Sequence, residues 1–371
     1  MDFTLTQAQD ELAALTRQIL TDRVTTARLR EIEATGTRFD ADLWAALAGA
    51  GVLSAALPES LGGAGLGLLE QCSVLAEIGR AVAPVPYLAS VVLGASALAE
   101  FGRADQQRQW AEPAGRGEVI IAAALSEEDG DDPARPAATA EPAGGGWRLT
   151  GSKTAVLAGT VADLLLIPAM TEAGPAVFIV TPGDPGVTVS AQQVTGGDAT
   201  ATVRLAGALV AADRLLGEPA RGAEVAGWLA ARATVGLCAL QLGVAERALE
   251  LTAAYAQRRQ QFGKPIGAFQ AVAQRLADGY IDVEGLRLTL WQAAWRLAEG
   301  LPGEAELATA KFWAADAGHR LAHTAVHVHG GVGVDMDGDV HRYFVAAKYN
   351  EFALGGATEQ LRRIGTVLAA G

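Results

Sequence analysis

The chain has 371 residues, of which 50 % are apolar and 19 % are charged, and its net charge is −13. This length allows two or three domains with a large core, and the composition is that of an ordinary globular protein. The acidic balance argues against nucleic acid and against an anionic membrane surface as partners, because both attract clustered Lys and Arg.

The two cysteines, Cys72 and Cys238, lie far apart, so the sequence predicts neither a disulfide framework nor a zinc ribbon. We expect two reduced, buried thiols in a cytoplasmic protein. The N-terminal residues lack the basic and apolar regions of a signal peptide. The uncharged run at 81–99 contains Pro84 and Pro86, which favours a buried helix after a turn over a membrane span.

Residues 1–118 are predicted to be helical. Thr6 and Gln9 have the spacing of a capping box at the start of the first helix. The apolar stripe that follows comprises Leu12, Leu15 and Ile19. A Gly-rich stretch lies at 58–67, but no Lys-Ser/Thr follows it and no strand clearly precedes it. We therefore interpret this stretch as a structural turn and not as a nucleotide-binding loop.

The pattern changes between residues 119 and 216. Short runs of apolar or β-branched residues lie at 119–124, 164–167, 176–180 and 187–189. Clusters of Gly and Pro separate these runs, which is the spacing of an antiparallel β domain.

Helical periodicity returns after residue 217 and predicts three long helices, the third at roughly 304–328. The predicted fold class is therefore mainly α with a central antiparallel β domain. We expect an N-terminal helical domain at 1–118, a β domain at 119–216 and a C-terminal four-helix-bundle domain at 217–371.

The helical pattern breaks at 263–265, Gly-Lys-Pro, so Arg259, Gln261 and Phe262 are predicted to lie at a helix end. There an Arg can hydrogen-bond a phosphate and a Phe can cover an adenine ring. In isolation the segment would be a solvated basic helix end. Together with Phe-Gln at 269–270 it resembles the signature of the acyl-CoA dehydrogenase family. The resemblance covers essentially the whole chain and implies that these residues contact an FAD held mainly by a neighbouring subunit.

The run at 329–333, His-Gly-Gly-Val-Gly, resembles a second element of that family, a turn that approaches the same FAD. The family usually has Gln two residues before this His, whereas this chain has His327, whose imidazole can replace the hydrogen bond. The resemblance therefore adds His327, Gly330 and Gly331 to the expected cofactor-binding set.

All five histidines lie between residues 319 and 341. His319, His323 and His327 are four residues apart, which places them on one helix face and raises the possibility of a metal site. No Glu or Cys joins them at ligand spacing, so we predict no metal and expect hydrogen bonds at an interface.

The family's catalytic glutamate has no counterpart in this chain. Removing a proton from the carbon next to a thioester requires a positioned base. Counting from the His-Gly-Gly turn places Leu354, Gly355 or Gly356 at the expected position. Some family members carry the base on an earlier helix, at about Ala233, but no carboxylate lies at 225–245. We therefore expect no catalytic residue in this chain.

The residues that would hold a flavin within this subunit are also altered. Active members have Trp-x-Thr or Trp-x-Ser where this chain reads Ala-Val-Leu at 155–157, and an acidic run at 127–132 replaces their Gly-Ser-Asp turn. Residues that would reach a neighbour's flavin are retained. This combination resembles the non-catalytic subunit of the paired acyl-CoA dehydrogenases of actinobacterial cholesterol side-chain degradation.

This resemblance implies an α2β2 tetramer with a catalytic acyl-CoA dehydrogenase subunit, a steroid acyl-CoA substrate and one FAD per heterodimer. The partner's glutamate would remove the α proton while the flavin accepts hydride from the β carbon, giving a 2,3-enoyl-CoA. Electrons would leave through an electron-transfer flavoprotein. Two alternatives remain open: a self-sufficient homotetramer with Glu351 or Glu359 as a relocated base, or a flavin-free scaffold that stabilises a partner.

Overall fold

The computed structural model describes residues 4–128, 130, 132–196 and 199–370 of the chain. These residues form two compact units, each assembled from segments that are far apart in the sequence. The first unit comprises Met1–Arg30, Leu68–Ala83 and Thr234–Gly371, and the second comprises Glu31–Gly67 and Pro84–Ala233.

Helices account for most of the described chain. They are α1 (Gln7–Arg23), α2 (Thr26–Thr35), α3 (Ala41–Gly49), α4 (Leu68–Ala81), α5 (Ser96–Phe101), α6 (Ala104–Gln106), α7 (Glu112–Gly115), α8 (Gly222–Arg258), α9 (Gln270–Ala298), α10 (Glu304–His329), α11 (Val340–Phe352) and α12 (Ala357–Ala370). The helical prediction for 1–118 is confirmed, and the third long helix, α10, lies within one residue of its predicted range at both ends.

The first helix begins as predicted but buries a different face. The Thr6 hydroxyl accepts a hydrogen bond from the Gln9 amide at 3.2 Å, and the Thr6 amide donates to the Gln9 side chain at 2.9 Å. The buried side chains are Gln9, Leu12, Thr16 and Leu20, so of the predicted apolar stripe only Leu12 is buried, while Leu15 is exposed and Ile19 is half-buried. Thr16 can be buried because its hydroxyl donates to the Leu12 carbonyl at 2.8 Å.

The uncharged run at 81–99 forms a buried helix after a turn, as predicted. Its first part, Tyr87–Ala95, is a π-helix whose nine residues are all buried, and it continues directly into α5. All of this segment after Pro84 lies within the second unit.

Eight strands of the second unit form one sheet. They are β1 (Ile121–Ala123), β2 (Thr139–Ala143), β3 (Gly146–Val156), β4 (Leu164–Thr171), β5 (Gly174–Val180), β6 (Val187–Ala191), β7 (Ala201–Ala211) and β8 (Leu215–Leu216). The order is β6-β7-β3-β2-β4-β5-β8, and β1 pairs with β4. The fold class is confirmed with one correction: the sheet is mixed, because β1 and β2 run parallel to β4. The division into three domains stays a prediction.

Ion pairs connect three helices of the first unit. Arg80 of α4 contacts Glu246 and Glu250 of α8 at 2.9 and 2.8 Å, and Arg17 of α1 contacts Glu77 of α4 at 2.6 Å. Several of these charges share partners, and such networks contribute more than isolated exposed pairs.

One helical segment, Pro219–Arg258, is long and apolar enough to cross a membrane by length and composition alone. Within the protein, 67 % of its most apolar window is buried. A core helix of a large protein has this same composition.

Both cysteines are fully buried, as expected from the sequence, and burial raises the pKa of Cys238 to about 12. Because the thiolate is the reactive form, we expect neither thiol to react with a disulfide reagent in the folded protein at about pH 8. Both should react after unfolding in denaturant. Rapid labelling of the folded chain would show that α4, which carries Cys72, or α8, which carries Cys238, opens locally.

Candidate functional site

The segment after α8 forms a tight hairpin. Strand β9 (Gln260–Gln261) pairs with β10 (Lys264–Pro265) in antiparallel register. The two residues between them, Phe262 and Gly263, have φ of 52° and 79°. A two-residue turn of this hand suits Gly but strains Phe, so the Phe side chain at this position is a candidate for function.

The predicted cofactor residues of this hairpin are open to contact. The Phe262 side chain is 91 % exposed, and its ring meets Phe269 edge to face at 6.1 Å. Arg259 is exposed and has no carboxylate partner among the residues that the structure describes. Gln261 uses its side-chain amide to bond the Gln260 carbonyl at 2.8 Å. An Arg, an amide and an aromatic ring are groups that suit a phosphate and an adenine.

The second predicted segment follows directly from α10, which ends at His329. Gly330 has φ 64° and ψ −142°, a conformation that only glycine adopts readily. A side chain added at Gly330 or Gly331 would meet no atom within 4 Å, so both backbones face open space. His327 is exposed one turn before them. The arrangement leaves backbone and imidazole groups accessible to a ligand.

An aromatic stack that the sequence analysis missed joins the two segments. The ring of Tyr255 in α8 stacks on the ring of His329, with ring centroids 4.3 Å apart and planes inclined by 25°. A signal was present, because each ring lies within four residues of a predicted cofactor residue.

The expected position of the base lies in a turn between two helices. Helix α11 ends at Phe352 and α12 begins at Ala357. Leu354 and Gly355 both have positive φ, 57° and 93°. Buried Lys311 donates to the carbonyls of the two residues at 350 and 351, at 2.9 and 3.1 Å, and so fixes the end of α11 just before this turn.

The two carboxylates beside this turn are already engaged. Glu351 contacts Lys348 at 2.6 Å and His319 at 3.1 Å, and Glu359 contacts Arg363 at 3.5 Å. Each carboxylate is thus tied to a neighbouring helix residue.

Two of the three histidines predicted to share a face of α10 contact residues of α11. His319 bonds Glu351, and His323 meets the Phe344 ring edge to face at 5.3 Å. Burial and the nearby His319 and Lys348 lower the pKa of His323, which favours its neutral form. Throughout the described residues, no group of three His, Cys, Asp or Glu side chains is arranged to hold a metal ion.

In the second unit, the stretch at 155–157 is stabilised from within the chain. Ala155 has φ 48°, and its amide donates to the Gln192 side-chain oxygen at 2.7 Å. The Gln192 amide nitrogen donates to the Thr154 hydroxyl at 2.9 Å. Leu157 packs against a buried cluster of Ala89, Ile120 and Ala158. The Ala155 amide is therefore already satisfied.

The acidic run nearby contributes a buried ion pair. Glu127 accepts from the Lys153 ammonium at 2.6 Å and also from the Ala138 and Ala137 amides. Burial acts to raise the pKa of Glu127, but these hydrogen bonds outweigh burial and hold the pKa below its usual value. Lys153 is completely buried, and burial lowers its pKa.

A cavity of about 710 Å³ lies beside α3 in the same unit, lined by Phe39, Trp44 and other residues. Arg116 at its edge bonds both Glu112 and Glu118, at 2.7 and 2.9 Å. Since these charges satisfy one another, the cavity gives no indication of a charged ligand.

Long helices and one mixed sheet, together with exposed aromatic, basic and glycine elements, are features of a flavin-associated dehydrogenase. The Acyl-CoA dehydrogenase N-terminal domain model matches residues 6–118, and the C-terminal domain model matches residues 220–368. The chain belongs to the acyl-CoA dehydrogenase family, whose members are FAD-dependent oxidoreductases.

One protein of known sequence and two solved structures are similar to this chain over nearly their full length. Acyl-CoA dehydrogenase FadE27 of Mycobacterium tuberculosis is 54 % identical, over 100 % of this chain and 99 % of the relative. A chain in the crystal structure of the ChsE4-ChsE5 complex from Mycobacterium tuberculosis matches with a TM-score of 0.96 and 54 % identity. The match covers 100 % of this chain and 100 % of that chain. A Tcur3481-Tcur3483 steroid ACAD variant has a TM-score of 0.93 and 42 % identity, covering 99 % of both chains.

Proposed function

We propose that this chain is the non-catalytic subunit of a heteromeric FAD-dependent acyl-CoA dehydrogenase. The observation that carries the proposal is the contrast between the exposed Arg259–Phe262 hairpin and the turn at 353–358, which contains no carboxylate. A catalytic partner subunit that holds the flavin explains why this chain keeps the flavin-contacting hairpin and lacks the catalytic carboxylate.

The chain's relatives support a heteromeric assembly and a steroid substrate. One similar structure is a complex of two differently named chains, and another is described as a steroid ACAD. By this similarity we propose an α2β2 tetramer in the cytoplasm that acts on a steroid side-chain CoA thioester, as in cholesterol degradation, and passes electrons to an electron-transfer flavoprotein.

The retained residues suit the cofactor of a neighbouring subunit. Arg259 and Gln261 supply hydrogen-bond donors for phosphate and ribose, Phe262 supplies a ring surface, and Gly330 and Gly331 allow close approach of the backbone. His327 adds an imidazole beside this turn. When bound, FAD supplies the two-electron acceptor of the reaction.

The chain's own flavin-facing stretch supports one FAD per heterodimer. The Ala155 amide is occupied by Gln192, and Leu157 is packed into an apolar cluster. A second flavin that accepted a hydrogen bond from the Ala155 amide would have to displace Gln192. The partner's glutamate would remove the α proton, since this chain has no carboxylate at the matching turn.

Activity and flavin content of the purified chain and of its co-purified complex test the proposal together. We expect no acyl-CoA dehydrogenase turnover from the chain alone. We also expect it to aggregate, because Phe262, Ile281, Met336 and Phe352 are each more than 60 % exposed. The complex should contain one FAD per two polypeptides. Turnover by the lone chain, or one FAD per polypeptide, would refute the proposal.

Substitution of the hairpin arginine separates a shared flavin site from a flavin-free scaffold. Arg259→Ala should lower the FAD content of the co-purified complex, because a charge-assisted hydrogen bond to phosphate is lost. Arg258→Ala is the matched control. Arg258 is the adjacent arginine, and its guanidinium bonds the Ala254 carbonyl of its own helix. Unchanged FAD content in Arg259→Ala would favour the scaffold.

The relocated-base alternative receives no support from the geometry, because Glu351 and Glu359 are both held in ion pairs. Glu351→Gln and Glu359→Gln should leave turnover of the complex within about twofold of wild type. Loss of turnover in either variant, with the fold intact, would favour a base in this chain.

A further inference from the structure

Two aromatic side chains connect the segments on which the proposed cofactor residues lie. Tyr255 is four residues before Arg259 on the last turns of α8, and His329 directly precedes Gly330 at the end of α10. Their rings stack at 4.3 Å. The stack therefore gives the hairpin and the glycine turn a direct contact that their separation in sequence does not provide.

His329 is held on several sides. Its Nδ1 lies 2.8 Å from the Ala325 carbonyl, which can only accept, so Nδ1 carries the proton. Burial lowers the pKa of His329 and favours the neutral ring at pH 7. On the side of the turn, a side chain added at Gly333 would lie 3.0 Å from the His329 Cβ. The glycine turn thus packs directly on this residue.

Tyr255 is connected to the hairpin through the backbone. Its carbonyl accepts from the Arg259 amide at 2.8 Å, and the Arg259 carbonyl accepts from the Ile266 amide at 2.8 Å. The backbone that carries the Tyr255 ring is therefore bonded directly into the hairpin that presents Phe262.

We propose that Tyr255 and His329 are positioning residues that set the spacing between the 259–262 hairpin and the turn at Gly330 and Gly331. The proposal rests on the proposed function, because the two segments must engage one FAD together. Neither ring needs to touch the cofactor, because each ring holds in place one of the two segments that contact it. An aromatic pair has few rotatable bonds, so it fixes this spacing at a low cost in conformational entropy.

The test measures the affinity of added FAD for the deflavinated, co-purified complex by fluorescence titration. Tyr255→Ala and His329→Ala should each weaken FAD binding by roughly two- to tenfold, the range expected for losing one aromatic pair. The double variant should be little weaker than either single variant, because both remove the same contact. Tyr255→Phe and His329→Phe keep a ring in place and should retain most of the affinity.

Val244→Ala serves as the matched control for general destabilisation, because it removes buried apolar volume elsewhere in the first unit. It should lower the melting temperature of the complex without changing FAD affinity. The proposal is overturned if Val244→Ala weakens FAD as much as Tyr255→Ala does, or if the two alanine effects add fully. If Arg259→Ala weakens FAD and Tyr255→Ala does not, only the positioning role fails. If the wild-type complex binds no FAD, the proposed function fails as well.

Discussion

Gly243→Ala is expected to destabilise the protein by about 3 kcal/mol or more, because it places a methyl group inside a backbone contact. A Cβ at Gly243 of α8 would lie 1.9 Å from the Ala76 carbonyl oxygen of α4. On the facing helix, a Cβ at Gly79 would lie 2.1 Å from the Leu240 carbonyl oxygen. Both obstacles are helix backbone, so neither can move aside as a side chain would. The two helices must separate for the substitution to be accommodated.

Gly227→Ala is the matched control on the same helix. Gly227 is exposed, and an added Cβ would meet no atom within 4 Å. There alanine should stabilise by about 0.5–1 kcal/mol, because it has the higher helix propensity. Thermal unfolding of the co-purified complex at one fixed concentration measures both variants. Similar melting temperatures for the two would show that α4 and α8 do not approach this closely.

Lys153→Met is expected to cost about 3 kcal/mol, because it leaves the Glu127 carboxylate buried without its cation. The Lys153 side chain is fully buried, and that of Glu127 is 10 % exposed. The amides of Ala137 and Ala138 continue to bond the carboxylate, which keeps the loss near the lower end of the range for broken buried pairs. Met is similar in length to Lys, so the expected loss is mainly electrostatic.

The pH dependence of this loss has a definite sign. The pKa of Glu127 is held below its ordinary value of 4.5, so the pair stabilises the fold above that pH. This contribution disappears as the pH falls through the folded-state pKa. The stability difference between wild type and Lys153→Met should therefore narrow on acidification from pH 7. Adding Glu127→Gln to Lys153→Met should recover much of the loss, and failure to recover would point to packing as the cause.

Several elements of the fold were predictable because local patterns determine them. The capping box at Thr6 and the apolar periodicity of α10 act over a few residues, and the structure places both as expected. The strands found from sequence, such as β4 and β5, are continuous apolar runs that are buried along most of their length.

The sheet strands missed from sequence are β2, β8 and the two longest, β3 and β7, which have eleven residues each. Strand β7 alternates buried and exposed residues but uses Ala, Gly and Arg, so its composition gives little strand signal. Strand β3 contains the polar run at 150–154, including Lys153. This lysine is buried only because Glu127 reaches it, a contact across 26 residues that no local pattern encodes.

The sequence by itself determined the family resemblance, the absence of a carboxylate at 353–358 and the identity of the candidate cofactor residues. These are properties of residue type and spacing. Only the tertiary structure decided that Phe262 is exposed on a strained turn, that Gln192 occupies the Ala155 amide, and that Tyr255 stacks on His329. Each of these depends on which distant side chains meet, and that is set by packing of the whole unit.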